Sequence, residues 1–470
     1  MVKGFVPFLR MGVRMNRLRH ALPFAATLVA AVPVSAQAIW LPVATPTAPP
    51  PREHAKLVHD YLRDRLVLWG GQGSGGGGFV DTWEFDGSAW QQRSTAHTPN
   101  GYGQGAMAYD RGRGRVVLVT ANAGQGETWE YDGTDWLHRS LAADPPASGN
   151  DLLVYDGSRG LCVLFVQGYG SGSAETWEYD GYAWTHRYPT SSPPARYDAG
   201  MAFDPLRGRT ILYGGVVSSG PPWITWEYDG ANWTAGPNAA ASPDRNDFAF
   251  TFDANRRRAV LFGGLGYPYT TATYEYEAPN WTLRTTVGPS NRTGAAMAYD
   301  LGRQQCVLFG GRDTASNIVM GDTFVYRSLV PATATTFGQG CAGSSIAPGF
   351  LPQPYHVPYT GMNFGVRLYS APYNQPSLVV AGFSRTSFAG QPLPLPLGFL
   401  GMTNCELLVS VDVSAATTTN GSNATLAFPI PAQPTLAGAA FYLQAFALDI
   451  GGNPANLINT RAIECHVGVP

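Results

Sequence analysis

TWEYDGTDW, residues 128–136, is one of five closely similar segments in this chain of 470 residues. The others are TWEFDGSAW (82–90), TWEYDGYAW (176–184), TWEYDGANW (225–233) and TYEYEAPNW (273–281). Their closing tryptophans, Trp90, Trp136, Trp184, Trp233 and Trp281, fall 46 to 49 residues apart. A second anchor keeps step with them: Asp60, Asp110, Asp156, Asp204, Asp253 and Asp300. Each of these aspartates precedes a short turn and an apolar run such as VLFGG, which ends at Gly311. A period of this length marks stacked supersecondary units.

Each unit reads as four short strands, here lettered a to d. Strand a resembles MAYD (107–110), strand b TILYGG (210–215), strand c TWEYD, and strand d starts at the tryptophan. Alternation along strand c puts Trp83 and Phe85 on one face and Thr82, Glu84 and Asp86 on the other. The Asp-Gly pairs supply the c–d turn, because glycine accepts positive φ without a Cβ clash. One four-stranded sheet cannot bury both of its faces alone, so the units must stack around an axis. The fold class is therefore all-β.

Six anchor aspartates but five closing tryptophans leave the last unit short of a strand. The tryptophan-to-aspartate separation is 19 or 20 residues in the intact copies, and Trp40 lies 20 residues before Asp60. The stretch around Ile39–Val43 is thus expected to be strand d of the sixth unit, closing first onto last.

The paired glycines, the aromatic of strand c and the spaced tryptophan resemble the kelch repeat, over about residues 39–328. That resemblance implies a six-bladed kelch-type β-propeller; an open solenoid of the same period is the alternative. Features present in every copy are read as structural. The arginine three places after each anchor, Arg63, Arg113, Arg159, Arg207, Arg256 and Arg303, is expected to brace the turn of its aspartate, and the tryptophans to pack between blades.

Strand alternation places the a–b and c–d turns on one face and the variable b–c and d–a loops on the other, where binding groups usually sit. Eight residues before the anchors stand Arg52, Tyr102, Ser148, Arg196, Arg245 and Arg292; two places on come His54, Gln104, Asn150, Asp198, Asp247 and Gly294. The b–c loops add Tyr169, Trp223, Tyr267 and Tyr269. The candidate ligand-binding set is Arg52, His54, Tyr102, Arg196, Trp223, Arg245, Tyr267, Tyr269 and Arg292, which suits an extracellular glycan or an acidic protein segment. The competing reading has the arginines bracing neighbouring loops. His54 with Asp198 and Asp247 offers a lesser alternative, a cation.

Galactose oxidase also joins a kelch-type propeller to a β-sandwich, and that resemblance implies a carbohydrate or alcohol oxidase as the alternative function. Its copper chemistry needs two histidines, two tyrosines and a cysteine at the axis. Here only His54 falls near the axial ring, and Cys162 and Cys306 occupy an apolar position of strand b. No nucleophile elbow, phosphate loop or metal-site cysteine spacing occurs, so no catalytic residue, metal or cofactor is assigned.

Lys3, Arg10, Arg14, Arg17 and Arg19 precede the apolar run 21–34 and the small residues Val34-Ser35-Ala36. This pattern predicts a signal peptide over residues 1–36 and a secreted, cell-surface or periplasmic protein, not inserted in a membrane after cleavage. Removing those five basic residues takes the formal charge from −2 to −7, which argues against nucleic acid as a partner. The propeller is expected over 37–328, a linker over 329–336 and a β-sandwich over 337–470. Among five cysteines, Cys341 and Cys405 are the expected disulfide, with Cys465 competing for either.

Overall fold

A computed structural model describes residues 38–101, 104–122, 124–168, 174–217, 220, 223–236, 243–266, 271–328, 330–342, 347–353 and 356–469. The signal peptide expected over 1–36 lies outside them. The described chain is all-β, with only two short 3-10 turns, Gly398–Leu400 and Pro434–Leu436. None of its helices is long and apolar enough to cross a membrane.

Six four-stranded antiparallel sheets account for the repeats. The first runs Lys56–Asp60, Arg65–Trp69, Thr82–Phe85 and Trp90–Arg93. Its a-strand touches the a-strand of the second sheet, Gly105–Asp110, which touches Leu152–Asp156. The series continues through Gly200–Asp204, Ala249–Asp253 and Ala296–Asp300, and the last returns to Lys56–Asp60. These contacts form a closed, propeller-like ring. The sixth sheet takes its outer strand from the other end of the repeat region: Ile39–Val43 pairs antiparallel with Thr323–Arg327, Trp40 opposite Tyr326.

Two rings of hydrogen bonds cross the interfaces between sheets. Each closing tryptophan donates its indole N–H to the threonine that opens strand c of the preceding sheet. The pairs are Trp136–Thr82, Trp184–Thr128, Trp233–Thr176, Trp281–Thr225, Trp90–Thr323 and Trp40–Thr273, all at 2.8–3.0 Å. These donors are buried, so each bond removes the cost of an unpaired N–H while the ring supplies apolar area. In the second ring, a tyrosine hydroxyl of strand c donates to the strand c glutamate of the preceding sheet. Tyr131–Glu84, Tyr179–Glu130, Tyr228–Glu178, Tyr276–Glu227 and Tyr326–Glu275 lie at 2.9–3.1 Å. At the sixth interface Val325 replaces the glutamate and Phe85 the tyrosine, and both sit in one apolar cluster.

The arginine after each anchor aspartate braces its turn and also reaches strand c. Arg113 bonds Asp110 at 2.6 Å and Glu130 at 2.6 Å. Arg256 joins Asp253 to Glu275 in the same way, with both acids buried. Lacking a glutamate, Arg303 forks onto Asp64 of the first sheet at 3.0 and 3.3 Å. The c–d glycines make room for these arginines: Gly133 has φ +99°, and a Cβ there would strike the Arg63 guanidinium. Its neighbour Asp132 closes the turn by accepting the amides of Thr134 and Asp135.

Beyond the ring, a five-stranded sheet runs in the order Thr333–Phe337, Leu457–His466, Ala440–Leu448, Pro376–Gly382 and Val413–Thr418. A three-stranded sheet contains Gly349–Pro352, Asn363–Tyr369 and Ala424–Pro429. Phe364, Val366 and Leu368 of the smaller sheet share a buried cluster with Val379, Leu443, Ala445 and Ile463 of the larger. The stretch read as a linker, 329–336, contributes most of the edge strand Thr333–Phe337, which pairs with Leu457–His466. Cys341 and Cys405 form a disulfide, while Cys162, Cys306 and Cys465 are free and buried. The two regions touch directly: Arg257 donates to the Asn363 carbonyl at 2.8 Å, and Ser328 to that of Val469 at 2.7 Å.

Candidate functional site

The four candidate arginines are buried, at 0 % exposure for Arg52 and Arg196, 3 % for Arg245 and 2 % for Arg292. Arg52 donates from Nε to the Pro50 carbonyl and from Nη1 to that of Gly70, then grips Asp81 with both nitrogens at 2.5 and 3.0 Å. Arg292 repeats the arrangement on Ser290, Gly310 and Asp322. Both therefore tie a d–a loop to the start of strand c, as a planar fork does well. Arg196 keeps the same backbone contacts, Nε to Pro194 and Nη1 to Gly214, but Ile224 stands where Asp81 and Asp322 stand. Its Nη2 has no hydrogen-bond partner among the described residues, and burial brings its guanidinium down to about 10. Burial likewise lowers Arg245, whose corresponding position holds Ala272. Trp223 is 36 % exposed on the b–c loop of the fourth sheet. Tyr102, Tyr267 and Tyr269 lie outside the described residues.

His54 belongs to a different feature, a cavity of about 340 Å³ along the ring axis. Its mouth is lined by His54, Lys56, Asn150, Gln167, Asp198 and Asp247. His54, Asp198 and Asp247 have positive φ of 58°, 57° and 52°, and Gly294 continues the series at 58°. Left-handed backbone at successive positions around the axis lets each amide bond the carbonyl of the preceding unit. Asp247 N donates to Asp198 O at 2.8 Å, Gly294 N to Asp247 O at 3.1 Å, and His54 N to Gly294 O at 2.6 Å. Such backbone is uncommon outside glycine and concentrates at functional sites.

The electrostatics of this mouth are mixed. Burial pushes the Lys56 ammonium below its ordinary range, against the opposing pull of Asp247, Asp151 and Asp198. Burial raises Asp198, and the neighbouring Asp247 charge adds to that. Burial also raises Asp151, although the Ser148 and Gln167 amides oppose it. Burial alone would lower His54, but its bond to Asp247 at 3.2 Å and that carboxylate's charge leave it raised. The mouth thus presents an ammonium, an imidazole, two carboxylates and amide groups within one small cavity, able to donate and accept at once.

Lys56 was not among the sequence candidates, although the sequence carries a signal for it. The other five repeats place Ala106, Leu152, Gly200, Ala249 and Ala296 at this position, and the chain's only other lysine is Lys3.

At the opposite end of the axis, His59, Asp64 and Asp300 are the one group of metal-ligand types found close together among the described residues. Arg303 already forks onto Asp64 and bonds Asp300 at 3.1 Å. Leu301 N donates to His59 Nδ1, which leaves Nε2 to carry a proton towards Asp64. The guanidinium supplies the cation there, and the cluster joins the sixth sheet to the first.

No protein family and no curated protein sequence matches the chain. Among solved structures, the lectin SapL1 in complex with α-methyl fucoside is similar over 59 % of this chain and 93 % of its own, at 12 % identity and a TM-score of 0.40. A chain described as a candidate gluconolactonase is similar over 62 % of this chain and 92 % of its own, at 11 % identity and the same TM-score. Likenesses this distant carry no argument about function.

Proposed function

We propose that this chain is a secreted, non-catalytic binding protein. In this reading residues 1–36 are a signal peptide, 37–328 a six-bladed kelch-type propeller and 337–470 a β-sandwich. The propeller recognises a polar ligand, a glycan or a protein segment, on the face formed by its d–a and b–c loops.

The observation that carries the reading is the break in symmetry at the axial mouth. A ring of six like sheets needs the same residues six times, whereas Lys56 occurs in one repeat only, His54, Asp198 and Asp247 share their position with Gln104, Asn150 and Gly294, and all four line one cavity. A half-buried ammonium beside carboxylates costs free energy relative to the uncharged alanine, leucine or glycine of the other repeats, so its presence points to a use outside folding. The arrangement favours a ligand with both hydrogen-bond donors and acceptors, such as a sugar hydroxyl pair.

A glycan and peptide array probed with the purified protein tests this. We expect at least one specific hit that Lys56→Met and Asp198→Asn each weaken tenfold or more. Binding unchanged in both variants would move the site away from the axis.

A further inference from the structure

Arg52, Arg196 and Arg292 take the same pose in three sheets, each with Nε on the carbonyl two residues before it and Nη1 on a strand-b glycine carbonyl. In two of the three a carboxylate completes the fork: Asp81 for Arg52 and Asp322 for Arg292. Those carboxylates remain 20 % and 34 % exposed, so the place they occupy opens to solvent even though the guanidiniums beneath are buried. In the fourth sheet the place holds half-buried Ile224, and the Arg196 fork is left with a fully buried Nη2 that has no partner among the described residues. A buried cation with no countercharge is costly, and an anion arriving at that place would meet a fork already oriented.

We infer that the fourth sheet carries a carboxylate-binding site, in which a ligand supplies to Arg196 the group that Asp81 and Asp322 supply to Arg52 and Arg292. The ligand is assigned as a uronic acid unit of a glycan. Trp223, next to Ile224 in sequence and 36 % exposed, supplies an apolar aromatic side chain on the same b–c loop, which fits a sugar ring bearing a carboxylate. The choice of a glycan rests on the binding reading above; the carboxylate site does not, because it uses none of the axial residues.

The test is saturation-transfer NMR with glucuronate and glucose as probes, on the wild-type protein and three variants. We expect glucuronate to bind at least tenfold more tightly than glucose. Ile224→Asp installs the missing acid: it should abolish that preference and raise Tm, since it gives the Arg196 fork a countercharge. Arg196→Lys, which keeps the charge but not the fork, should weaken glucuronate several-fold. Tyr182→Ala, at an exposed residue of the c–d turn in the third sheet, should leave the preference intact. Equal binding of both sugars, or an Ile224→Asp variant that still prefers glucuronate, would overturn the site. A short acidic peptide bound through Arg196 in preference to glucuronate would overturn the uronate assignment. A neutral glycan hit that depends on Lys56, with no glucuronate preference, would sink this site and leave the axial reading standing.

Discussion

Trp40 donates its indole N–H to Thr273 at 2.8 Å, although 233 residues separate them. The bond is the last of six equivalent ones, and the only one whose tryptophan comes from before the first repeat. Trp40 also packs on Phe262 and Tyr326, with ring centroids 4.8 and 5.1 Å away. Trp40→Ala should destabilise the protein by about 3–5 kcal/mol through the cavity it leaves. Thr273→Val, which only orphans the indole N–H, should cost about 1–3 kcal/mol. Urea unfolding measures both; a Trp40→Ala variant as stable as wild type would mean that the first strand does not close the ring.

The sixth interface invites a reciprocal experiment. Val325 and Phe85 stand where the other five interfaces have a glutamate and a tyrosine. Val325→Glu alone should destabilise, because it buries a carboxylate against a phenyl ring. Adding Phe85→Tyr should restore part of that loss, with a favourable coupling of about 0.5–3 kcal/mol in a double-mutant cycle. Simple additivity would show that the two positions do not meet as a pair.

Acid stability should depend strongly on one hub. Burial acts to raise the Glu275 carboxyl, but Arg256, Arg258 and Arg284 hold it down to about 2. A carboxyl lowered on folding contributes stability that is complete above its ordinary value near 4.5 and is lost as pH falls towards 2. Glu275→Gln should therefore lower stability at neutral pH by roughly 3 kcal/mol and flatten the acid limb of the stability curve. An unaltered acid limb would assign it to other carboxylates.

The disulfide between Cys341 and Cys405 spans 64 residues. By loop entropy its removal should cost about 4 kcal/mol, read as a loss of Tm in Cys341→Ser with Cys405→Ser. Because the two regions touch, the ring should also lose stability if they unfold together; two separate transitions would show that they unfold independently.

The fold was largely legible because a period of 46 to 49 residues repeats the same tryptophan, aspartate and strand pattern. The 20-residue spacing from Trp40 to Asp60 was enough to place a strand that lies 233 residues from its acceptor. The linker reading met an edge strand because no residue of Thr333–Phe337 is fully buried, so its sequence carries no alternation of buried and exposed positions. The site was less legible. Arg52, Arg196 and Arg292 look alike in sequence, and what separates them is an acid 29 or 30 residues downstream that only pairing brings near. Lys56 opens an inner strand and lies outside the variable loops, where a strand pattern alone marks a packing position.

Lys56 also provides the most direct measurement. It is the only lysine after residue 36, so protein processed at that point and grown on ¹³C-lysine should show a single lysine side-chain signal. Titration with the best array ligand should shift that signal in step with saturation, and wild-type affinity should fall at least tenfold in Lys56→Met. A lysine signal that stays in place at saturating ligand would contradict binding at the axial mouth.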